Sequence, residues 1–412
     1  MDFIPAVVTP LDSHMGLDIA RSLGRRGIQV YGIDTLTDES LPGIHSKYCK
    51  FVRSPDPEKE NGEAYIQFIL EFGKKLTTKA VLYPLSDKHV LLISRHRAEL
   101  QSYYDFVMPD HETIEKLTTK NGLQCIATQY NIPAPKSIEK IKKNEIEQIA
   151  QQITYPAILK PTESTLWHSP QIVKILSNGF INARAKVILC NTPSELIQAY
   201  QRVANINDNL IVQEVIPGED NRLVYFSFYL NRQSRPIGIF AGRKFRVIPV
   251  GFGSASYVRS YFDPELVNIG LKLLSATNYQ GLGGIEFKKD PRDEHYKLIE
   301  FNTRFGMWDG LSVKCGVDLP YISYCDTLNL PIEPKCTYRE DMIWVDWQRD
   351  VRAASTYIHN GQLTLKQWLH SLQGDKMWAI YSKDDWRPGV YFTLILAYRL
   401  IERVIRRLLN RS

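Results

Sequence analysis

Glu286 and Glu300 are the residues from which chemistry is read most directly. Segments 282–288 and 296–302, LGGIEFK and YKLIEFN, alternate with a period of two residues, and Asp290-Pro291-Arg292-Asp293 between them is a turn signal. A hairpin closing near Asp293 sets Glu286 opposite Glu300. Alternation then sends Ile285, Phe287, Ile299 and Phe301 to a buried face, with Glu286, Glu300, Asn302 and Arg304 together on the other. Like charges directly opposite one another destabilise a sheet unless a cation lies between them. Two carboxylates with an amide oxygen are hard oxygen donors, the set that Mg²⁺ prefers when it also holds substrate phosphates. The competing reading is a solvated acidic face, and the presence of Asn302 and Arg304 on the same side weighs against it.

Three basic residues add to this set. Lys160 ends an apolar strand, Tyr155 to Lys160, and is followed by Pro161, which places its ammonium at a strand terminus. Lys244 and Arg246 lie two residues apart in the run Ala241-Gly242-Arg243-Lys244-Phe245-Arg246-Val247, so both are expected on one side of a strand. Facing the carboxylate hairpin, they would clamp phosphate oxygens. Taken singly, each of these residues also fits a solubilising surface position.

Positioning such groups requires more than one core. A chain of 412 residues exceeds a typical single domain, and two or three are expected. With 44% hydrophobic and 23% charged residues the composition is that of an ordinary soluble protein, and a net charge of +6 does not by itself call for nucleic acid. No zinc-knuckle spacing and no basic stripe interleaved with aromatics adds to that charge, so no nucleic-acid partner is expected. Six scattered cysteines without a C-x-x-C pair, and a start too quickly interrupted for a secretory h-region, point to a reduced cytoplasmic chain. No apolar run reaches membrane-spanning length.

The N-terminal order is strand 6–8, helix 17–23, strand 29–34, helix 63–75 and strand 79–84, a parallel α/β unit over about residues 1–109. Its first loop, 9–16, lacks G-x-G-x-x-G, which leaves a dinucleotide reading weak. A second module spans 110–330. It opens with a helix over 112–129, followed by strand 155–160, strand 185–189, helix 194–203, strand 209–214, and strands at 223–230 and 236–240, an α+β pattern. Residues 331–412 form an extension rich in tryptophan. It ends in 389–409, where Leu394, Ala397, Ile401, Val404, Ile405 and Leu408 recur at helical spacing among Arg399, Arg403, Arg406 and Arg407, with Arg411 just beyond. Such a basic amphipathic helix either lies on an anionic membrane surface or docks on its own protein with its basic face in water.

In sequence order these motifs resemble the ATP-grasp superfamily, specifically the carboxylate–amine ligase branch that includes D-aspartate ligase-like proteins. The resemblance runs from the N-terminal strand to about Leu330 and is strongest over 281–287 and 298–305. It implies that Glu286, Glu300 and Asn302 bind Mg²⁺ (or Mn²⁺) and that Arg304 contacts the γ-phosphate and the acyl-phosphate intermediate. It implies ATP as the nucleotide, with Lys120 and Lys160 as its two lysine contacts. Gln213, Glu214, Val215 and Ile216 match the hinge that receives adenine, and Asp220 the ribose contact. Lys244 and Arg246 match the basic strand over the triphosphate. One departure is the loop 162–167, which has no glycine where many relatives carry a Gly-rich flap. There, the hydroxyls of Ser164 and Thr165 would have to take over part of the phosphate contact.

The reaction implied is attack of a carboxylate on the γ-phosphate, release of ADP, and attack of an amine on the acyl phosphate. No enzyme nucleophile is required, in keeping with the lack of a G-x-S-x-G signature. The acceptor pocket is expected between the N-terminal domain and the ATP module, with His14, Asp87 and Arg95 as its candidates. Asp87 equally fits a helix N-cap. The alternative to an enzyme is a non-catalytic ATP-binding or membrane-docking protein on the same fold. A carboxylase-type member that activates bicarbonate is the alternative within the enzymes. The predicted location is cytoplasmic, with peripheral contact at the inner face of a membrane through the C-terminal helix.

Overall fold

The computed structural model describes residues 3–11, 14–35, 42–139, 141–161, 187–206 and 208–409. Five short strands open the chain: β1 (Ala6–Thr9), β2 (Val30–Asp34), β3 (Cys49–Arg53), β4 (Ala80–Pro84) and β5 (Tyr104–Asp105). They form one parallel sheet in the order β3-β2-β1-β4-β5. The central strands are apolar on both faces because helices and a second sheet cover both. Ala6 and Val8 of β1, with Val81 and Tyr83 of β4, enter a core shared with the C-terminal half, while Val7, Ala80 and Leu82 pack beneath the helices Glu63–Lys74 and Asp87–Arg95.

The expected helix over 112–129 is two helices, His111–Thr118 and Lys120–Gln129. Thr119 between them is extended, and its hydroxyl accepts from the Gly122 N–H at 3.3 Å, an N-cap that ends one helix and starts the next. A Cβ on Gly122 would lie 2.2 Å from the Lys116 carbonyl, so only glycine admits so tight a break. The break makes Lys120 the first helical residue.

A four-stranded antiparallel sheet follows: β6 (Ser137–Glu139), β7 (Ala157–Pro161), β8 (Ile188–Cys190) and β9 (Leu210–Glu214), in the order β6-β9-β7-β8. Ala157, Leu159, Leu210 and Val212 pack against the helices Ile146–Gln152 and Pro193–Val203. Period-two alternation turns Ile158, Lys160, Ile211 and Gln213 to the opposite face, away from those helices.

The largest sheet has seven strands: β10 (Leu223–Leu230), β11 (Pro236–Ile248), β12 (Ser254–Ser260), β13 (Gly281–Lys289), β14 (Tyr296–Asn302), β15 (Ile343–Val345) and β16 (Lys376–Trp378). Their order is β14-β13-β10-β11-β12-β15-β16, antiparallel except for the last pair. Central β10 is buried along its whole length. Val224, Phe226, Phe228 and Leu230 face a core under the helix Pro264–Ala276, whereas Tyr225 and Tyr229 face the core shared with the N-terminal sheet. The C-terminal segment is thus woven into this sheet through β15 and β16, and the helix Trp347–His359 packs on β11.

The chain ends in the helix Arg387–Leu409. Its first turns rest on the 3₁₀ turn Pro42–His45, where the His45 ring stacks on Tyr391 at 3.4 Å. No helix among the described residues is long and apolar enough to cross a membrane.

Candidate active site

β13 and β14 pair as the alternation requires, with Glu286 directly opposite Glu300. Ile285, Phe287 and Phe301 are buried on the far face. Ile299 differs from expectation, being only half-buried, while Leu298 is buried in its place. The cause is a bulge: Glu286 pairs with Glu300 but Phe287 pairs with Leu298, which leaves Ile299 as the extra residue. The Ile299 carbonyl freed by the bulge is 3.5 Å from the Lys120 ammonium, which also lies 3.8 Å from the Glu300 carboxylate.

On the same face, Lys244 of β11 bonds Glu286 across β10, and both side chains are largely buried. Between them runs Tyr225, the β10 residue paired with Glu286. Its phenol is buried, has no hydrogen-bond partner and is held protonated well above the usual range by burial, with Asp309, Glu300 and Glu286 nearby adding to the effect. Gly284 makes this arrangement possible, because a Cβ there would come within 2.2 Å of the Tyr225 ring. Composition gives no hint of Tyr225; only its register opposite Glu286 does.

The second wall is the face of the four-stranded sheet that carries Lys160. Lys160 donates to Gln213 Oε1 at 2.7 Å, and Gln213 in turn donates to the Ser137 hydroxyl at 2.8 Å. Burial first, and the charge of Lys120 second, bring the Lys160 ammonium down to about 7, against the opposing pull of Glu300 and Glu139. Glu300 shows the reverse balance. Desolvation by neighbouring groups raises its pKa, though 49% of the side chain is exposed, and Lys120, Lys244, Arg304 and Lys160 outweigh it and hold the carboxyl below its ordinary range. Four cations from three elements of structure and one loop therefore act on one carboxylate.

Arg304 follows β14 and closes the site against the N-terminal sheet. Its Nε donates to Asp87 Oδ1 at 2.8 Å and its Nη1 lies 3.6 Å from the Met15 sulfur. Asp87 is the first residue of its helix, and Ser86 supplies the N-cap by accepting from the His89 N–H. Asp87 is therefore turned toward Arg304. His14 pairs with Asp346 at 2.9 Å, bringing a carboxylate from the C-terminal segment to this rim, and Arg349 joins Asp346 at 3.1 Å. Arg95 does not reach the site: it is exposed in the last turn of its helix, about 12 Å along the axis from Asp87. A narrow cleft of about 40 Å³ runs between Pro84 and Leu85 at the end of β4 and Thr303 and Arg304. The carboxyl-terminal ends of parallel strands are where open sheets bind ligands.

Two expected contacts are placed elsewhere, and the hinge is engaged by neighbouring backbone. Arg246 forms a bidentate pair with Asp350 at 2.7 and 2.9 Å, bonds Ser371 at 3.1 Å and stacks over Tyr257. Register shifts on either side of it break the period that would have aligned it with Lys244. Asp220 is buried, accepting from the Gly251 N–H at 3.0 Å and from the Tyr357 hydroxyl. In the hinge, the Glu214 and Val215 N–H groups donate to the carbonyls of Lys136 and Pro156, both at 2.9 Å, and Ile216 is buried. The Glu214 side chain meets Arg292 of the hairpin turn at 2.7 Å, tying the two antiparallel sheets together at one end of the cleft. Ser164 and the glycine-free loop 162–167 lie outside the described residues.

The donor set fits a hard divalent cation. Glu286, Glu300 and Asn302 offer only oxygens for binding, and ammonium groups stand against both carboxylates where a metal would otherwise balance their charge. Among the described residues no third carboxylate, histidine or cysteine joins them, so substrate oxygens and water would have to complete the shell.

Solved structures share the fold of this chain. The biotin carboxylase domain of the 2-oxoglutarate carboxylase of Hydrogenobacter thermophilus superposes with a TM-score of 0.62 at 15% identity, over 83% of this chain and 74% of that one. The L-amino acid ligase of Bacillus licheniformis gives a TM-score of 0.57 at 16% identity, over 79% and 75%. In sequence, the D-aspartate ligase of Enterococcus faecium (strain Aus0004) is 25% identical over 282 residues, 66% of this chain. The chain is similar in sequence to this D-aspartate ligase and shares the fold of these two structures. No family model matches it. The chain spans 64% of the length of that D-aspartate ligase. Lys120, Lys160, Lys244, Glu286, Glu300 and Arg304 stand together between the four-stranded and seven-stranded sheets.

Proposed function

We propose that this protein is an ATP-dependent carboxylate–amine ligase that forms an amide or peptide-like bond and releases ADP and phosphate. One observation carries the reading: Glu286 and Glu300 face each other at the centre of four converging cations, Lys120, Lys160, Lys244 and Arg304. Resemblance to a D-aspartate ligase and to an L-amino acid ligase supports an amino acid as the carboxylate substrate.

ATP enters with its adenine toward the hinge at Gln213 to Ile216 and its phosphates toward Lys120, Lys160 and Lys244. Glu286, Glu300 and Asn302 would hold Mg²⁺, or Mn²⁺ in its place, which supplies charge neutralisation on the phosphate oxygens. Arg304, oriented by Asp87, is placed to hold the substrate carboxylate against the γ-phosphorus and then to stabilise the acyl phosphate. Phosphoryl transfer converts the carboxylate to an acyl phosphate, and ADP keeps the electron pair of the broken P–O bond. The amine attacks the acyl carbon, phosphate leaves, and the proton lost by nitrogen passes to solvent or a rim base. The Tyr225 phenol, protonated and unbonded, is available to donate to an oxygen that enters this face.

The test is phosphate release from ATP and Mg²⁺ with pooled amino acids and amines, with hydroxylamine added to trap the acyl phosphate as a hydroxamate. Hydroxamate that depends on one carboxylate is expected. Tight ATP binding with neither phosphate nor hydroxamate across broad pools would favour the non-catalytic alternative.

A second reading has its own support. Leu394 and Ile401 of the C-terminal helix are 61% and 59% exposed, beside the exposed Arg387 and Arg399. We infer a cytoplasmic enzyme whose terminal helix makes peripheral contact with an anionic membrane surface.

A further inference from the structure

Two cavities adjoin and share the walls Trp378, Tyr381, Ser382 and Lys383. The inner one, about 650 Å³, lies between the helices His14–Gly24 and Gly310–Lys314 and the segment 374–383. The outer one, about 500 Å³, runs along Trp386, Val390 and Leu394 at the start of the C-terminal helix. Together they make one trough that is charged at the inner end and apolar at the outer.

The inner end carries an imbalance of charge. Of its basic residues, Arg21, Arg25 and Lys314 are held by Asp385, Asp384 and Asp375. Lys376 and Lys383 join no ion pair among the described residues; Lys376 donates to the Gly374 carbonyl and Lys383 is exposed. The one acid here outside an ion pair is Asp18. Its side chain is 3% exposed, neither carboxyl oxygen has a hydrogen-bond partner, and the group lies against Gly310, where a Cβ would come within 2.1 Å of Oδ2. Burial raises its pKa to about 8, against the charges of Arg21 and Arg25, so at neutral pH it is an acid with a proton to donate. A buried polar group without a partner is costly. Two uncompensated ammonium groups and a neutral carboxyl suit an oxyanion. They do not suit a cation, which would have to sit beside both lysines.

We propose that this trough binds an anionic phospholipid of a bilayer surface, with its phosphate at the inner end near Lys376, Lys383 and Asp18 and its hydrocarbon along Trp386, Val390 and Leu394. The gradient from charged to apolar matches an amphiphile end to end, and the exposed apolar residues continue the outer end along the helix through Tyr398 and Ile401. Occupancy gives Asp18 an acceptor and Lys376 and Lys383 a counter-charge. This inference rests on the peripheral-contact reading of the helix and is independent of the ligase reaction.

The experiment has two arms on the full chain. In the first, dihexanoyl phosphatidylglycerol or dihexanoyl phosphatidylcholine, each below its micelle concentration, is titrated by calorimetry and by the fluorescence of the trough tryptophans. Saturable binding of the phosphatidylglycerol is expected, weakened about fivefold by each of Lys376→Glu and Lys383→Glu, and also weakened by Asp18→Ala. Lys383 is exposed, so its variant folds, and melting curves verify the others. In the second arm, co-sedimentation with vesicles tests the helix: Leu394→Asp with Ile401→Asp abolishes vesicle binding, while the trough variants remove only the preference for phosphatidylglycerol over phosphatidylcholine. Absence of saturable short-chain binding, or binding indifferent to all three trough variants, overturns the lipid site even if vesicles are bound. Self-association that is lost in Leu394→Asp, without lipid binding in either arm, would assign the face to a second copy of the chain and overturn it equally.

Discussion

Two basic residues of β11, Lys244 and Arg246, are near neighbours in sequence and both are buried in ion pairs, yet they serve different regions of the molecule. Lys244 meets Glu286, a carboxylate that also faces Glu300 across the hairpin and lies beside Tyr225, so the pair opens onto the cleft. Arg246 meets Asp350 in a bidentate pair whose acid also accepts from the Trp368 indole and the Ser256 hydroxyl, a closed network that fastens the C-terminal helices to the sheet. A register shift between these residues, and a second just after Arg246, separate a cation beside the opposed carboxylates from an architectural one. An ion pair with ligands still to gain serves binding, whereas one with every donor and acceptor engaged serves the fold.

That contrast predicts different failures. Asp350→Ala leaves a buried guanidinium unpaired and is expected to cost about 3–5 kcal/mol of stability, read from denaturant melts, whereas Arg246→Met with Asp350→Leu together should recover most of it. If the double variant is as unstable as the single, the network matters beyond charge. Glu300→Gln should leave the melting temperature within a few degrees of wild type but lower kcat for phosphate release by about 10²–10³-fold, the usual scale for one electrostatic group at a phosphoryl site. Retained activity in that variant would remove the metal assignment.

Lys160 sharpens the comparison through pH. Its pKa is about 7 in the folded chain against 10.5 for an ordinary lysine, so between those values the unfolded chain holds a proton that the folded chain does not. Stability contributed through this group therefore rises with pH across that window, and Lys160→Met flattens the slope. Triphosphate favours the charged ammonium, so ATP binding above pH 7 should take up a proton, seen by calorimetry in buffers of different ionisation enthalpy and absent in Lys160→Met. The smallest effect is expected at Lys116, whose pair with Glu112 is exposed and local to one helix: Lys116→Ala should leave the denaturant midpoint unchanged within error.

Much of the site was legible because it lies on regular strands. Period-two alternation in β13 and β14 carries Glu286 and Glu300 to one face whatever the rest of the chain does, and the turn at Asp290 to Asp293 fixes their register. The same rule misplaced Ile299 and Arg246, since a bulge changes the period by one residue and has no signature in side-chain type. It also missed the break at Thr119, where a cap hydroxyl and Gly122 divide one periodic pattern into two helices. Tyr225, the pairing of Asp87 with Arg304 and that of His14 with Asp346 escaped for another reason: each acts across a long stretch of chain, and local pattern carries no information about which distant face it meets.

The sequence by itself determined the alternation of the strands, the opposed carboxylates and the parallel order of the N-terminal sheet, because these follow from side-chain direction and local propensity over a few residues. Only the tertiary structure decided which cations reach those carboxylates, that Arg246 turns to Asp350 and Arg304 to Asp87, and that the C-terminal segment completes the large sheet. Such choices are made by burial and charge pairing between residues far apart in the chain. Their free energy exists only once the sheets have packed.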